Sequence, residues 1–349
     1  MIFSSDNWAG AHPKIAAALS THASGFEPAY GNGDLDQAVT RKFCEIFERE
    51  VAVFFVGTGT AANALSLVSY DKPGGLSFCH RESHAMEDEC GAPEYFMGGS
   101  RLHGVDGALG RMEPARLERA IGRYVPEFVH TGRPAAVSIT QATEIGTLYG
   151  LDDIATISAI AKKHSLPLHM DGARFANALV ALGTTPAEMT WKRGVDIVSF
   201  GGTKNGCWCA EAVILFDLER ANDFGFIRKR AAQLFSKSRF IAAQFDAYFE
   251  DGLWLETAAH ANAMAARLAA AMRASRTLRL AWEPQANEVF AIMPAARMKA
   301  LQEAGARFYD WPTPHGFDGD IGEGEQLCRF VTSFATTADE VDAFASLVP

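Results

Sequence analysis

Val51-Ala-Val-Phe-Phe-Val-Gly-Thr-Gly-Thr-Ala-Ala-Asn-Ala-Leu-Ser-Leu-Val68 contains a strand, a turn and a helix in succession. Residues 51–56 are an unbroken apolar run of strand length. Gly57 and Gly59 end it, and residues 60–68 are rich in Ala and Leu. An apolar strand with no polar alternation is buried on both faces, as in a parallel sheet covered by helices. The pattern recurs along the chain. Residues 76–79, 136–140, 166–170, 195–200 and 212–216 read as further strands. A helix over 152–164 sets Ile154, Ile157, Ile160 and Ala161 on one face. The expected fold is therefore α/β, with a mostly parallel sheet covered by helices.

After Glu211 the pattern changes. A long helical stretch is expected over about 226–275, then strands at 287–292, 307–311 and 327–333, and a helix over 295–304. Thr337-Ala-Asp-Glu340 is a capping box that opens a last helix, and residues 312–324 read as a surface loop. This tail is expected to form a smaller α+β domain. The division reads as an N-terminal segment 1–13, a large domain 14–240 and a small domain 241–349. A chain of 349 residues accommodates about two domains at ~150 residues each.

Composition narrows the function classes. Hydrophobic residues make up 48% and charged residues 21%, and the net charge is −10 with no basic cluster. Nucleic-acid binding needs a Lys/Arg-rich face and is not expected. The Ala-rich run over 258–274 carries His260, Asn262, Arg267 and Arg273, so it reads as an amphipathic helix, not a membrane span. The N-terminus shows no basic and apolar leader, and no membrane association or secretion is expected. Six cysteines without a C-x-x-C pair read as reduced thiols in a cytoplasmic protein. His80 and His84 are four apart, but Arg81 stands where a metalloprotease glutamate would, and no metal site is expected.

Three short stretches carry chemistry. Gly57-Thr-Gly-Thr60 turns a strand into a helix and points backbone N–H groups at one spot, a site for an anion. The same glycines fit a dinucleotide fingerprint through Gly57, Gly59 and Ala62, with Glu82 placed for a ribose, so a nucleotide oxidoreductase stays open at this point. Asp171, in His169-Met-Asp-Gly-Ala-Arg174, ends a buried strand, where it is a functional carboxylate or a helix cap. Lys204, in Ser199-Phe-Gly-Gly-Thr-Lys-Asn-Gly206, stands among glycines directly after another buried strand. The three strand ends converge on one crevice. Pyridoxal phosphate needs such a set: a lysine for its Schiff base, an acid for its pyridine nitrogen and a phosphate cup. A free lysine titrates near ~10.4, so its surroundings must activate it. His84, after the strand at 76–79, is the candidate ring to stack on the cofactor.

Together with other short stretches, these residues resemble the low-specificity L-threonine aldolases, including the phenylserine aldolase branch, among the fold-type-I pyridoxal phosphate enzymes. The resemblance is carried by Ser4-Ser-Asp-Asn-Trp-Ala-Gly10, Ala29-Tyr-Gly31, Thr58-Gly-Thr-Ala-Ala-Asn63, Ser83-His84 with Glu89, residues 169–177, Gly202-Thr-Lys-Asn205 and Arg329-Phe-Val-Thr332. It implies that Lys204 holds the cofactor, Asp171 meets the pyridinium and His84 stacks on the ring. Gly59 and Thr60 would hold the phosphate, with Thr58, Arg174 and Thr203 also at the cofactor. Ser5, Arg174 and Arg329 would hold the substrate carboxylate, with Tyr30 near the cofactor. Arg239 would reach the phosphate of a neighbouring subunit, in a homo-oligomer (a dimer of dimers) with shared active sites. Many members carry Asn-Thr-His where this chain has Ala142-Thr-Glu144, so Glu144 replaces a histidine.

The implied reaction cleaves a β-hydroxy-α-amino acid, such as L-threonine, L-allo-threonine or phenylserine, into glycine and an aldehyde. The base for the β-hydroxyl is left among His84, Glu89, Glu144 and water. Trp8 and Tyr30 are candidates to line a pocket for an aryl group. A β-eliminating lyase or a transaminase of the same fold type is the nearest alternative, and an NAD(P)-dependent oxidoreductase a more distant one.

Overall fold

The computed structural model describes residues 1–125 and 127–348. Its larger sheet has seven strands: β1 (Ala52–Val56), β2 (Gly75–His80), β3 (Arg101–Val105), β4 (Arg133–Thr140), β5 (Leu168–Gly172), β6 (Ile197–Gly201) and β7 (Glu211–Leu215). The order is β1-β7-β6-β5-β4-β2-β3. Strands β3, β2, β4, β5 and β6 pair in parallel, while β7 is antiparallel to both β6 and β1. The 76–79 and 51–68 readings correspond to β2 and to β1 with the helix Gly59–Val68. The run 212–216 is the antiparallel β7, an orientation set by the short return from β6.

Side-chain alternation along the strands divides the core between two faces. Val198 and Phe200 on β6 and Ala212 and Ile214 on β7 join the main cluster, whereas Ile197, Val213 and Leu215 pack with Ala61, Ala62 and Leu65 of the helix Gly59–Val68. The main cluster is aromatic at its centre. The Phe43 and Phe200 rings lie 5.2 Å apart, edge to face, and Phe43 also meets Phe249 at 4.9 Å. Edge-to-face rings gain about 0.5–1.5 kcal/mol beyond the area they bury.

The expected helical stretch over 226–275 is broken twice. It comprises Leu218–Arg230, Arg239–Phe249 and Leu253–Ala274. Ala232, Asp251 and Gly252 have positive φ (59°, 51° and 73°), a conformation that no right-handed helix continues through. Ile241, Phe245, Tyr248, Leu253 and Trp254 belong to the core of the large sheet, and Ala265, Leu268 and Met272 to a second core. The helix Leu253–Ala274 thus runs from one core to the other.

The second core covers an antiparallel sheet in the order β10-β11-β9-β8. Its strands are β8 (Arg279–Leu280), β9 (Glu288–Pro294), β10 (Tyr309–Asp310) and β11 (Glu325–Val331). The strand expected over 307–311 contributes only two residues to the ladder. Part of its length is taken by the N-terminal segment: Phe3 donates its N–H to the Arg307 carbonyl at 2.7 Å and accepts from the Val331 N–H at 2.8 Å. The capping box forms as expected, with Thr337 accepting from the Glu340 N–H and Glu340 accepting from the Thr337 N–H, both at 3.2 Å. No helix among the described residues is long and apolar enough to cross a membrane.

Candidate active site

Three turns at one end of the large sheet enclose a cavity of about 280 Å³, lined by Gly57, Thr58, Gly59, Thr60, Asn63, His84, Asp171, Thr203, Lys204 and Glu211, with Asn7 and Ala173. Close packing of backbone on backbone explains the glycines that follow β6. A Cβ on Gly201 would lie 2.7 Å from the Ala173 carbonyl oxygen, and one on Gly202 would lie 2.8 Å from that of Ala210. Only glycine lets the turn after β6 nest against the turn after β5, and that nesting brings Lys204 beside Asp171. On the other side, Gly57 donates its N–H to Gln233 at 3.1 Å. Thr58 caps the helix Gly59–Val68 by accepting from the Ala61 N–H at 3.1 Å. The first N–H groups of that helix have no intrahelical acceptor and line the cavity.

Asp171 is fixed from two directions. Its Oδ1 accepts the Ala173 N–H at 3.0 Å, and its Oδ2 accepts from Asn63 Nδ2 at 2.9 Å. Asn63 also donates to Glu89 Oε1 at 2.8 Å, and the same oxygen lies 3.0 Å from His84 Nδ1. One amide therefore joins two carboxylates, and Glu89 orients the imidazole. The hydrogen bond that His84 donates to Glu89 raises the His84 pKa against the opposing effect of burial. Glu89 has a buried side chain behind His84 and does not line the cavity. Beneath Asp171, His169 is held between Ser138 and Ser199 at 2.8 and 2.9 Å; burial pushes its pKa down to about 4, which keeps it neutral.

Lys204 faces the cavity with no hydrogen bond or ion pair to any described residue. Thr203 donates its N–H to Glu211 Oε1 at 3.3 Å, and burial pushes the Glu211 pKa up to about 7. Glu144 is only 7% exposed and makes neither a hydrogen bond nor an ion pair among the described residues. Burial opposes its ionisation, but Lys204, Arg174, His84 and Arg329 outweigh burial and hold its pKa below the usual carboxylate range.

The two candidate carboxylate-binding arginines are already engaged with acids. Arg174 is buried, with Nε and Nη2 at 2.8 and 3.1 Å from the Asp6 carboxylate and Nη1 3.3 Å from Glu288. Arg329 Nη1 lies 3.8 Å from the same Glu288, and its guanidinium sits 3.9 Å over the Trp311 ring. Burial pushes the Glu288 pKa up to about 7 although both guanidiniums pull it down. Ser5 accepts the Asn7 N–H at 3.1 Å, just outside the cavity.

Tyr30 and Arg239 do not reach this cavity within one chain. Tyr30 is 48% exposed beside Lys229, and Arg239 donates to the Gly25 carbonyl at 3.3 Å. Trp8 is 56% exposed and meets Tyr309 edge-on at 6.5 Å. The dinucleotide reading fails on topology: among the described residues β1 is an outer strand, and its neighbour β7 is antiparallel. Its acid is elsewhere too, for Glu82 accepts the His315 N–H at 2.6 Å and lines a different cavity.

Sequence reasoning missed Asp6, Asn63, Glu211 and Glu288 as site residues. Asn63 was within reach of it: in the first turns of a helix, a residue four beyond Gly59 lies on the same face. Glu288 gives no local signal, since it is one acid at the start of a strand.

A low-specificity L-threonine aldolase of Pseudomonas sp. (strain NCIMB 10558) is 40% identical over 99% of this chain and 96% of the relative. The chain belongs to the low-specificity L-threonine aldolase family. The family member of Pseudomonas aeruginosa is 39% identical over 98% of this chain and 95% of its own. Residues 3–296 match the family model described as Beta-eliminating lyase. Among solved structures, a threonine aldolase of Leishmania major superposes with a TM-score of 0.91 at 28% identity, covering 99% of this chain and 98% of that one.

Proposed function

We propose that this aldolase cleaves L-threonine, L-allo-threonine and phenylserine-type β-hydroxy-α-amino acids to glycine and an aldehyde, using pyridoxal phosphate. The observation that carries the reading is the single cavity in which Lys204, Asp171, His84 and the free N–H groups of a helix N-terminus meet. These residues fit the cofactor. Asp171, fixed by Asn63 and Ala173, suits a protonated pyridine nitrogen; Thr58, Gly59, Thr60 and Thr203 offer donors to a phosphate; Lys204 supplies the amine for its attachment. Bound there, the cofactor supplies an electron sink for the pair left on Cα when the Cα–Cβ bond breaks.

The chain's own groups do the rest. Arg174 and Arg329 bind the substrate carboxylate, with Ser5 at its edge, and Asp6 and Glu288 keep the two guanidiniums in place. That grip orients the bond to be broken. Among the candidate bases we favour Glu144, which is ionised and unpaired, to take the β-hydroxyl proton; Glu89 is committed to His84 and Asn63. Tyr30 and Arg239, outside the cavity on the chain's surface, suit a site completed by a second subunit in a dimer of dimers. Six thiols, none in a disulfide, suit a reducing compartment, and we place the enzyme in the cytoplasm.

Borohydride treatment of the purified enzyme tests the reading. The expected result is a near-ultraviolet-to-visible band that bleaches, with the label on Lys204, and a Lys204→Ala variant without the band or turnover. Full turnover by that variant would refute it.

A further inference from the structure

A second cavity, of about 560 Å³, is lined by residues that flank His84 in the chain, and His84 itself lines the cleft. It is bounded by the chain on both sides of His84, by Glu144 and Ile145, and by residues 309–312. Five carboxylates line it: Glu82, Glu87, Asp88, Glu144 and Asp310. Among the described residues none of the five has an ion-pair partner. The one cationic residue of the wall, Arg81, is bound to Asp106 at 2.6 Å. Glu144 is more than nine-tenths buried and unpartnered, and it feels the charges of both the cleft lysine and the two arginines. Beside Ile145 and Pro312, the remaining wall presents two aromatic rings. Tyr309 is 42% exposed, and Trp311 already takes one guanidinium, that of Arg329, on its face at 3.9 Å.

We infer that this cavity receives the β-substituent of the substrate and favours one that ends in a cation. The inference rests on the proposed aldolase reading. With the substrate carboxylate on Arg174 and Arg329 and the β-hydroxyl at Glu144, the substituent is directed to the wall that Glu144 and Trp311 share. An ammonium or guanidinium there meets unpaired carboxylates and aromatic faces, the two partners that stabilise cations best. A carboxylate-ended substituent meets like charge. The preferred substrate class is a β-hydroxy-α-amino acid with a basic side chain. In the reaction the Cα–Cβ bond breaks, the hydroxyl proton goes to Glu144, the β-carbon becomes the carbonyl of an ω-cationic aldehyde, and Cα gains a proton to give glycine. No oxidant or second substrate is required.

The test compares three substrates with the same six-carbon chain on the holoenzyme: 3-hydroxylysine, 3-hydroxynorleucine and 2-amino-3-hydroxyadipate, with threonine alongside and glycine formation as the readout. The expected order of kcat/KM is cation, neutral, anion, about tenfold per step at about 20 mM salt, shrinking several-fold at about 0.5 M as exposed charges are screened. A Glu87→Gln/Asp88→Asn variant should lower the ratio of lysine-type to norleucine-type cleavage about threefold or more. A general loss of activity does not move that ratio. Equal rates for the three substrates, or an order unaffected by salt, overturn the inference while threonine cleavage stands. Failure to cleave threonine, with Lys204 unlabelled by borohydride, overturns the aldolase reading itself.

Discussion

Replacing Glu288 by glutamine removes a carboxyl that the fold holds in an unusual state. Its side chain is fully buried, and neither oxygen accepts a hydrogen bond among the described residues. The guanidiniums at 3.3 and 3.8 Å attract it without hydrogen-bond geometry, so burial dominates and its pKa rises from 4.5 to about 7. Between those values the native state binds more protons than the unfolded chain, so the contribution of this group falls as pH rises and levels off above 7. A shift of one unit is worth about 1.4 kcal/mol, which gives about 3 kcal/mol across the whole window. A glutamine in its place has no proton to lose. The stability of Glu288→Gln relative to the parent should therefore change by about 2–3 kcal/mol in favour of the variant between pH 5 and 8. Glu211 also titrates at about 7, but it does so in both proteins and cancels in the difference. Urea unfolding at fixed protein and cofactor concentration measures the effect. A difference independent of pH would refute the reasoning. So would one that moves in favour of the parent as pH rises, since the arginine pair would then keep Glu288 ionised throughout.

Two further substitutions probe the cleft. Glu89→Gln withdraws the charged acceptor that raises the His84 pKa, so the limb of the kcat/KM profile governed by His84 should move to lower pH; an unmoved limb would separate Glu89 from the imidazole. Gly201→Ala puts a methyl group 2.7 Å from the Ala173 carbonyl oxygen and 2.9 Å from its Cα. Prying apart the turns that hold Asp171 and Lys204 should cost roughly 1–3 kcal/mol of stability and weaken cofactor retention, measured by denaturation and by visible absorbance.

Most strands and the three glycine turns of the site were legible in the sequence because their determinants are local. A short apolar run, a glycine turn at a strand end and a capping box act within a few residues. Hence the positions of β1, β2, β5 and β6 and the convergence of Gly59, Asp171 and Lys204 follow from reading along the chain. Of the two breaks in the stretch 226–275, the one at Ala232 was illegible, because alanine does not announce a positive φ, whereas Asp251-Gly252 carries a local turn signal that the helical reading passed over.

The sequence by itself determined an α/β chain whose strand ends carry a lysine, an aspartate and a phosphate-type turn. Only the tertiary structure decided how their charges are partnered. Asp6 meets Arg174 across 168 residues, Asn63 meets Asp171 across 108, and Glu288 stands between two arginines that no spacing connects to it. It likewise decided that Glu144 is ionised and Glu211 raised to about 7, although both are buried glutamates. The physical reason is that a carboxylate's state depends on the charges around it and on the water excluded from it. Both are fixed by which distant segments the fold packs together.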